Sequence, residues 1–67
     1  MAFQQMDVRI LSFLKEKVAL AGHQEISITH QQIADELATA RVVVSRLLKQ
    51  MEANGLVQLG RNKIVVL

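Results

Sequence analysis

Cysteine and proline are both absent from the 67 residues of this chain. Without cysteine there is neither a disulfide nor a thiolate metal site. Without proline, a low-complexity segment or an internal repeat, nothing marks a linker or a repeat array. No apolar run approaches 18 residues, so no stretch reads as a membrane span. The N-terminus lacks the charged start and apolar core of a signal peptide, and the chain reads as cytoplasmic. Its length allows one small domain, which buries only about 60% of its chain's surface and has a thin stability margin. The residues are 51% hydrophobic and 21% charged, which fits a globular fold and argues against disorder.

The net charge of +2 is unevenly placed. Residues 1–37 carry Arg9, Lys15 and Lys17 against five carboxylates, a net −2. Residues 38–67 carry Arg41, Arg46, Lys49, Arg61 and Lys63 against Glu52 alone, a net +4. Such asymmetry points to a polyanionic partner for the second half.

In "MDVRILSFLKEKVALAG", Phe3 (just upstream), Met6, Ile10, Leu14 and Val18 recur at three- and four-residue steps, with Leu11 alongside. That spacing predicts a core-facing helix stopped by Gly22. "EISI" at 25–28 alternates and predicts a short strand. Thr29 and Gln32 then match a capping box, and Ile28 and Ile33 match a hydrophobic staple. Both start a short helix at His30, with Ile33, Ala34 and Leu37 as its buried face.

Thr39 is the next cap candidate, and Gly55 suits a left-handed C-terminal residue. Between them "RVVVSRLLKQMEA" predicts a helix over 40–54 despite its three valines. On a helical wheel with Arg41 at zero, Val43, Val44, Leu47, Leu48 and Met51 fall between roughly 200° and 340°. Arg41, Val42, Ser45, Arg46 and Lys49 fall between roughly 0° and 140°, on the other side. The tail "LVQLGRNKIVVL" predicts a hairpin over 56–67, turning at Gly60, Arg61, Asn62 and Lys63, with Asn62 able to take positive φ.

The predicted fold class is therefore small α+β: three helices, a short strand and a C-terminal hairpin, arranged as a single winged helix-turn-helix domain over 1–67, with the motif at 29–54. The exposed helix face bearing Arg41, Ser45 and Arg46 suits the major groove, where arginine bonds guanine bidentately. Free N–H groups at the start of the preceding helix suit phosphate. Arg61 and Lys63 at the hairpin tip suit the backbone or minor groove. Nothing suggests an enzyme: His23 and His30 have no metal-ligand spacing, and no carboxylate pair is placed for acid–base work. His30 reads as a surface residue in a first helical turn, or as a phosphate contact. A winged helix used for protein–protein contact is the alternative. It would replace the outward cations with apolar residues, whereas Val42 is the one apolar residue on that face.

The stretch "ITHQQIADELATARVVVSRLLKQMEANGLVQLGRNKIVVL" resembles the C-terminal DNA-binding domain of the bacterial Crp/Fnr superfamily of transcription regulators, strongly over 28–67 and loosely over the first helix. The short Thr29–Thr39 spacing and compact wing set it apart from MarR-like winged helices. The resemblance implies a winged helix-turn-helix working as a homodimer on palindromic DNA, with RNA polymerase as a further partner. Arg41 and Arg46 match the family's two base-reading arginines, and Ser45 a position that approaches bases in some members. Thr29 and Gln31 match phosphate-contacting positions. Thr39, Lys49, Arg61 and Lys63 complete the expected phosphate-contacting set. Val42 departs from the pattern. The family usually has glutamate there, in "S/T-x-R-E", accepting from a base amine. Read as the third helical residue after Thr39, that glutamate would also complete a capping box. Valine offers a base only apolar contact, such as to a thymine methyl. The family's sensor β-barrel and dimerisation helix exceed 67 residues. The expectation is thus a domain excised from a longer regulator or a truncated member. No cofactor is expected in this segment, and a nucleotide or other signal would bind in the missing N-terminal domain.

Overall fold

A computed structural model of the chain describes residues 6–67. Phe3, assigned to the first helix face, lies outside them. Helix α1 (Met6–Ala21) is followed by strand β1 (Glu25–Ile26), helix α2 (His30–Leu37), helix α3 (Arg41–Ala53) and strands β2 (Val57–Gly60) and β3 (Lys63–Val66). The strands form one antiparallel sheet in the order β1-β3-β2.

Each helix ends for a local reason. Gly22, at φ +79°, closes α1 by donating to the Val18 carbonyl at 2.9 Å. The capping box of α2 forms as predicted: Gln32 N–H donates to Thr29 Oγ1 at 3.1 Å, and Thr29 N–H to Gln32 Oε1 at 2.8 Å. Ile28 and Ile33, the staple pair, are both buried. Gly55, at φ +75°, closes α3, with its N–H on Glu52 O (3.0 Å) and Leu56 N–H on Met51 O (3.0 Å). That double closure satisfies carbonyls the helix leaves orphaned.

Two boundaries differ from expectation. Strand β1 covers Glu25–Ile26 instead of 25–28, because Ile28 turns into the core ahead of the cap. Helix α3 is capped by Ala40, which makes no side-chain cap bond, and not by Thr39. Thr39 is already used: its N–H donates to Ala34 O at 2.9 Å, while Ala38 N–H reaches Asp35 O at 3.4 Å. These bonds close α2 through Ala38 in the left-handed conformation (φ 55°, ψ 49°). The connection is only three residues, Ala38–Ala40, and the first carbonyl of α3 to accept is that of Ala40, from the Val43 and Val44 N–H groups at 3.0 and 3.2 Å, so α3 starts one residue after Thr39.

Ala38 holds a conformation that costs an L-residue roughly 1–2 kcal/mol, partly offset by the greater chain entropy that glycine loses on folding. Ala38→Gly is therefore expected to stabilise the domain by about 0.5–1 kcal/mol, raising Tm by several degrees for a domain this small. Thermal melts followed by far-ultraviolet circular dichroism would read it.

The core is one cluster: Ile10 and Leu14 from α1, Ile28, Ile33 and Ala34 around α2, Val44, Leu48 and Met51 from α3, and Val57, Ile64 and Val66 from the sheet. Met6, Leu11, Phe13, Val18, Leu37 and Leu47 pack half-buried on it. Val43, expected inside, is 36% exposed. The three fully inward residues of α3 point at about 310° on the wheel used above, so Val43 lies about 110° off that direction, outside the packed arc.

Candidate nucleic-acid interface

The same rotation sorts the outward residues of α3. Val42, Arg46 and Lys49 lie about 130–170° from the core direction and are all exposed, Val42 at 62%. Ser45 lies about 95° off, on the flank turned to α2, and is half-buried. There it meets His30: Nδ1 and Oγ are 2.8 Å apart, a hydrogen bond across the two motif helices. Burial, and then the Arg41 guanidinium, lower the pKa of His30 from its ordinary value. The fold thus favours neutral imidazole. This group's contribution to stability is present above the unfolded pKa near 6.5 and is lost as pH falls toward the folded value.

A groove of about 490 Å³ runs between the start of α2, the start of α3 and the tip of the wing. Its walls are Ile28, Thr29, His30, Gln31, Arg41, Gly60, Arg61 and Asn62. Four residues predicted for DNA contact, Thr29, Gln31, Arg41 and Arg61, are therefore brought to one concavity, with no acidic side chain lining it. Gln31 is exposed and bonds Asp35 through its Nε2 (2.9 Å). The Thr29 hydroxyl is occupied as the cap acceptor. Backbone N–H groups of His30 and Gln31, in the first turn of α2, open the helix's positive end toward the same space.

Val42, Ser45, Arg46, Thr39, Lys49 and Lys63 stand outside the groove walls. Thr39 is half-buried in the turn. Lys63 begins β3 beside Glu25 of β1, with Nζ 4.0 Å from Oε2, and both side chains are about half exposed. Such a pair is worth little in water. The aliphatic stem of Lys63 lies across Gly60, where a Cβ would come 2.8 Å from its Cγ and Cε. Lys63 is thus drawn to the β1 side, and Arg61 and Asn62 (φ 55°) form the tip itself. Among the described residues Arg41, Arg46, Lys49 and Arg61 have no ion-pair partner.

Position 42 is the second helical residue, not the third, because Ala40 is the cap. A glutamate there gains from the helix dipole but cannot close a capping box with Thr39.

The His30–Ser45 bond and the role of Glu52 were not legible from the sequence. Glu52 Oε2 accepts the Leu59 N–H of edge strand β2 at 3.0 Å and so ties the wing to α3. Both contacts join residues set together by tertiary packing, and neither leaves a local sequence signal. Among the described residues no helix is long and apolar enough to cross a membrane. No group of three or more His, Cys, Asp or Glu gathers there as a metal site.

Comparison with known proteins fits this geometry. A family model described as the Crp-like helix-turn-helix domain matches residues 8–67. A Eubacterium rectale protein assigned to the Crp/Fnr family of transcriptional regulators superposes with a TM-score of 0.92 at 41% identity. The match covers 96% of this chain and 30% of that one. The Thermus thermophilus catabolite activator protein superposes with a TM-score of 0.74 at 26% identity, covering 91% of this chain and 29% of its own. The chain thus spans about three tenths of the length of either structure. No curated protein matches it. Three helices, a three-stranded sheet with a cationic wing, and a family match over nearly the whole chain lead to one conclusion: the chain belongs to the Crp-like helix-turn-helix domains of DNA-binding transcription regulators.

Proposed function

We propose that this domain binds duplex DNA sequence-specifically, with α3 in the major groove and the wing on the backbone. One observation supports this most: Arg41, Arg46, Lys49 and Arg61 are exposed without ion-pair partners among the described residues, and two of them flank the groove at the start of α2. An unpaired guanidinium on an outward helix face matches the O6/N7 edge of guanine, and Arg46 and Arg41 are assigned that role. Val42 offers a thymine methyl an apolar contact, and Ser45 approaches a base edge from the α2 side. Thr29, Gln31 and Arg61 hold the phosphates that run over the groove, Thr29 through the hydrogen of its hydroxyl, because its N–H is donated to Gln32 Oε1 and its carbonyl accepts from Ile33 N–H. Lys49 flanks the same strand. Thr39 and Lys63 are secondary contacts, the first half-buried and the second turned toward Glu25.

The domain works within a longer cytoplasmic regulator that dimerises on a palindrome and touches RNA polymerase. Any nucleotide or other signal binds elsewhere in that protein. One domain alone occupies one half-site, and joining two tightens binding through effective concentration.

About three cationic phosphate contacts give a log–log salt slope near −2.7, so raising salt from 50 to 200 mM should weaken binding on the order of 40-fold. Fluorescence anisotropy with a labelled palindromic duplex reads this slope. Affinity indifferent to salt would refute the assignment.

A further inference from the structure

The His30–Ser45 bond is the one side-chain hydrogen bond joining α2 to α3 among the described residues, and it ends on a hydroxyl assigned to a base edge. We propose that His30 is a positioning residue for specificity: its Nδ1 sets whether the Ser45 hydroxyl meets the base as an acceptor or as a donor. The inference rests on the major-groove placement of α3 proposed above.

A serine hydroxyl has a single hydrogen and two lone pairs. When Nδ1 is bare, only Ser45 can supply the hydrogen between them. The hydroxyl then donates to the ring, and its oxygen is left to accept from a base amine, as on cytosine N4 or adenine N6. When Nδ1 carries hydrogen, the ring donates to Oγ. The hydroxyl hydrogen is then free for a carbonyl or ring-nitrogen edge, as on guanine O6 and N7 or thymine O4.

Neutral imidazole has one bare nitrogen, whereas imidazolium has none and enforces the second arrangement. A phosphate oxygen accepting from Nε2–H within the groove holds the neutral ring with Nδ1 bare. Burial beside Arg41 keeps the ring neutral near pH 7.5. The charged groups around it are Arg41 from α3 and Arg61 from the wing, which share its groove. Asp35, further along α2, is held by Gln31. The choice of base edge at one position is therefore coupled to a proton taken from solvent.

The test measures competition among duplexes that differ at a single base pair, across the half-site, at pH 7.5 and at a low pH below the His30 midpoint, located by following its ring Cε1–H in an NMR titration. At one position the wild-type domain should prefer an amine edge at pH 7.5. That preference should shift toward a carbonyl edge by about three- to tenfold at the low pH, the worth of one net hydrogen bond. His30→Gln should abolish the pH response at that position, whereas His23→Gln, at the other histidine, should keep it. Ser45→Ala should erase the preference at both pH values, and Ser45→Thr, which keeps the hydroxyl, should restore it. Circular dichroism melts establish that each variant is folded.

A wild-type preference identical at both pH values, or a pH response that survives His30→Gln, overturns the proposal while leaving DNA binding in place. Absence of any duplex binding by the wild type overturns the major-groove reading and this proposal together.

Discussion

Arg46→Ala is expected to reduce discrimination between specific and random duplexes by about 1–3 kcal/mol, roughly five- to 150-fold, while binding to random DNA falls much less. Arg46 is exposed, lies about 165° from the core direction of α3, and has no ion-pair partner among the described residues. Its removal leaves the packed arc intact, so melting should not change. Arg61→Ala supplies the contrast. Arg61 sits at the wing tip and lines the groove, where phosphate contact positions the protein without specifying sequence. Its loss should weaken specific and random binding in the same proportion and lower the salt slope by about 1. Equal proportional losses in both variants would mean the helix does not read bases through Arg46.

The second large effect is on folding. Leu48→Ala should destabilise the domain by about 2–5 kcal/mol, because truncating a fully buried leucine removes transfer free energy and leaves a cavity. Leu48 lies on the inward arc of α3, amid side chains drawn from every element. A domain of this size has only a few kcal/mol of margin, so the variant should be largely unfolded at 37 °C. Urea unfolding followed by circular dichroism measures it. A loss below 1 kcal/mol would mean that the sheet and α1 hold the domain without α3. DNA binding should fall in parallel, which separates this effect from that of Arg46→Ala.

Much of this was legible from spacing. Thr29–Gln32, Ile28–Ile33 and the glycines at 22 and 55 act locally, over four to six residues, and the structure has each in its expected role. The amphipathic period of α3 placed Val42, Arg46 and Lys49 outside and Val44, Leu48 and Met51 inside. The misreadings came where two elements share a residue or where a distant element decides. Thr39 has a good capping side chain, but its N–H closes α2 and the cap falls to Ala40. Val43 fits an apolar arc drawn from sequence, but the arc actually packed is narrower and rotated. Ser45 was placed with the outward cations, yet His30, fifteen residues earlier, holds it on the α2 flank. The pairing of β1 with β3, which ties the second strand of the wing to the body of the domain, also joins residues some forty apart and has no local signature.

The most direct measurement is amide chemical-shift mapping on the ¹⁵N-labelled domain as a palindromic duplex is added. The proposed interface predicts the largest changes at Thr29, His30 and Gln31, from Arg41 through Lys49, and at Arg61 and Asn62, with α1 nearly silent. Changes concentrated on the outer face of α1, around Val8, Lys15 and Leu20, or no changes up to saturating duplex, would contradict it.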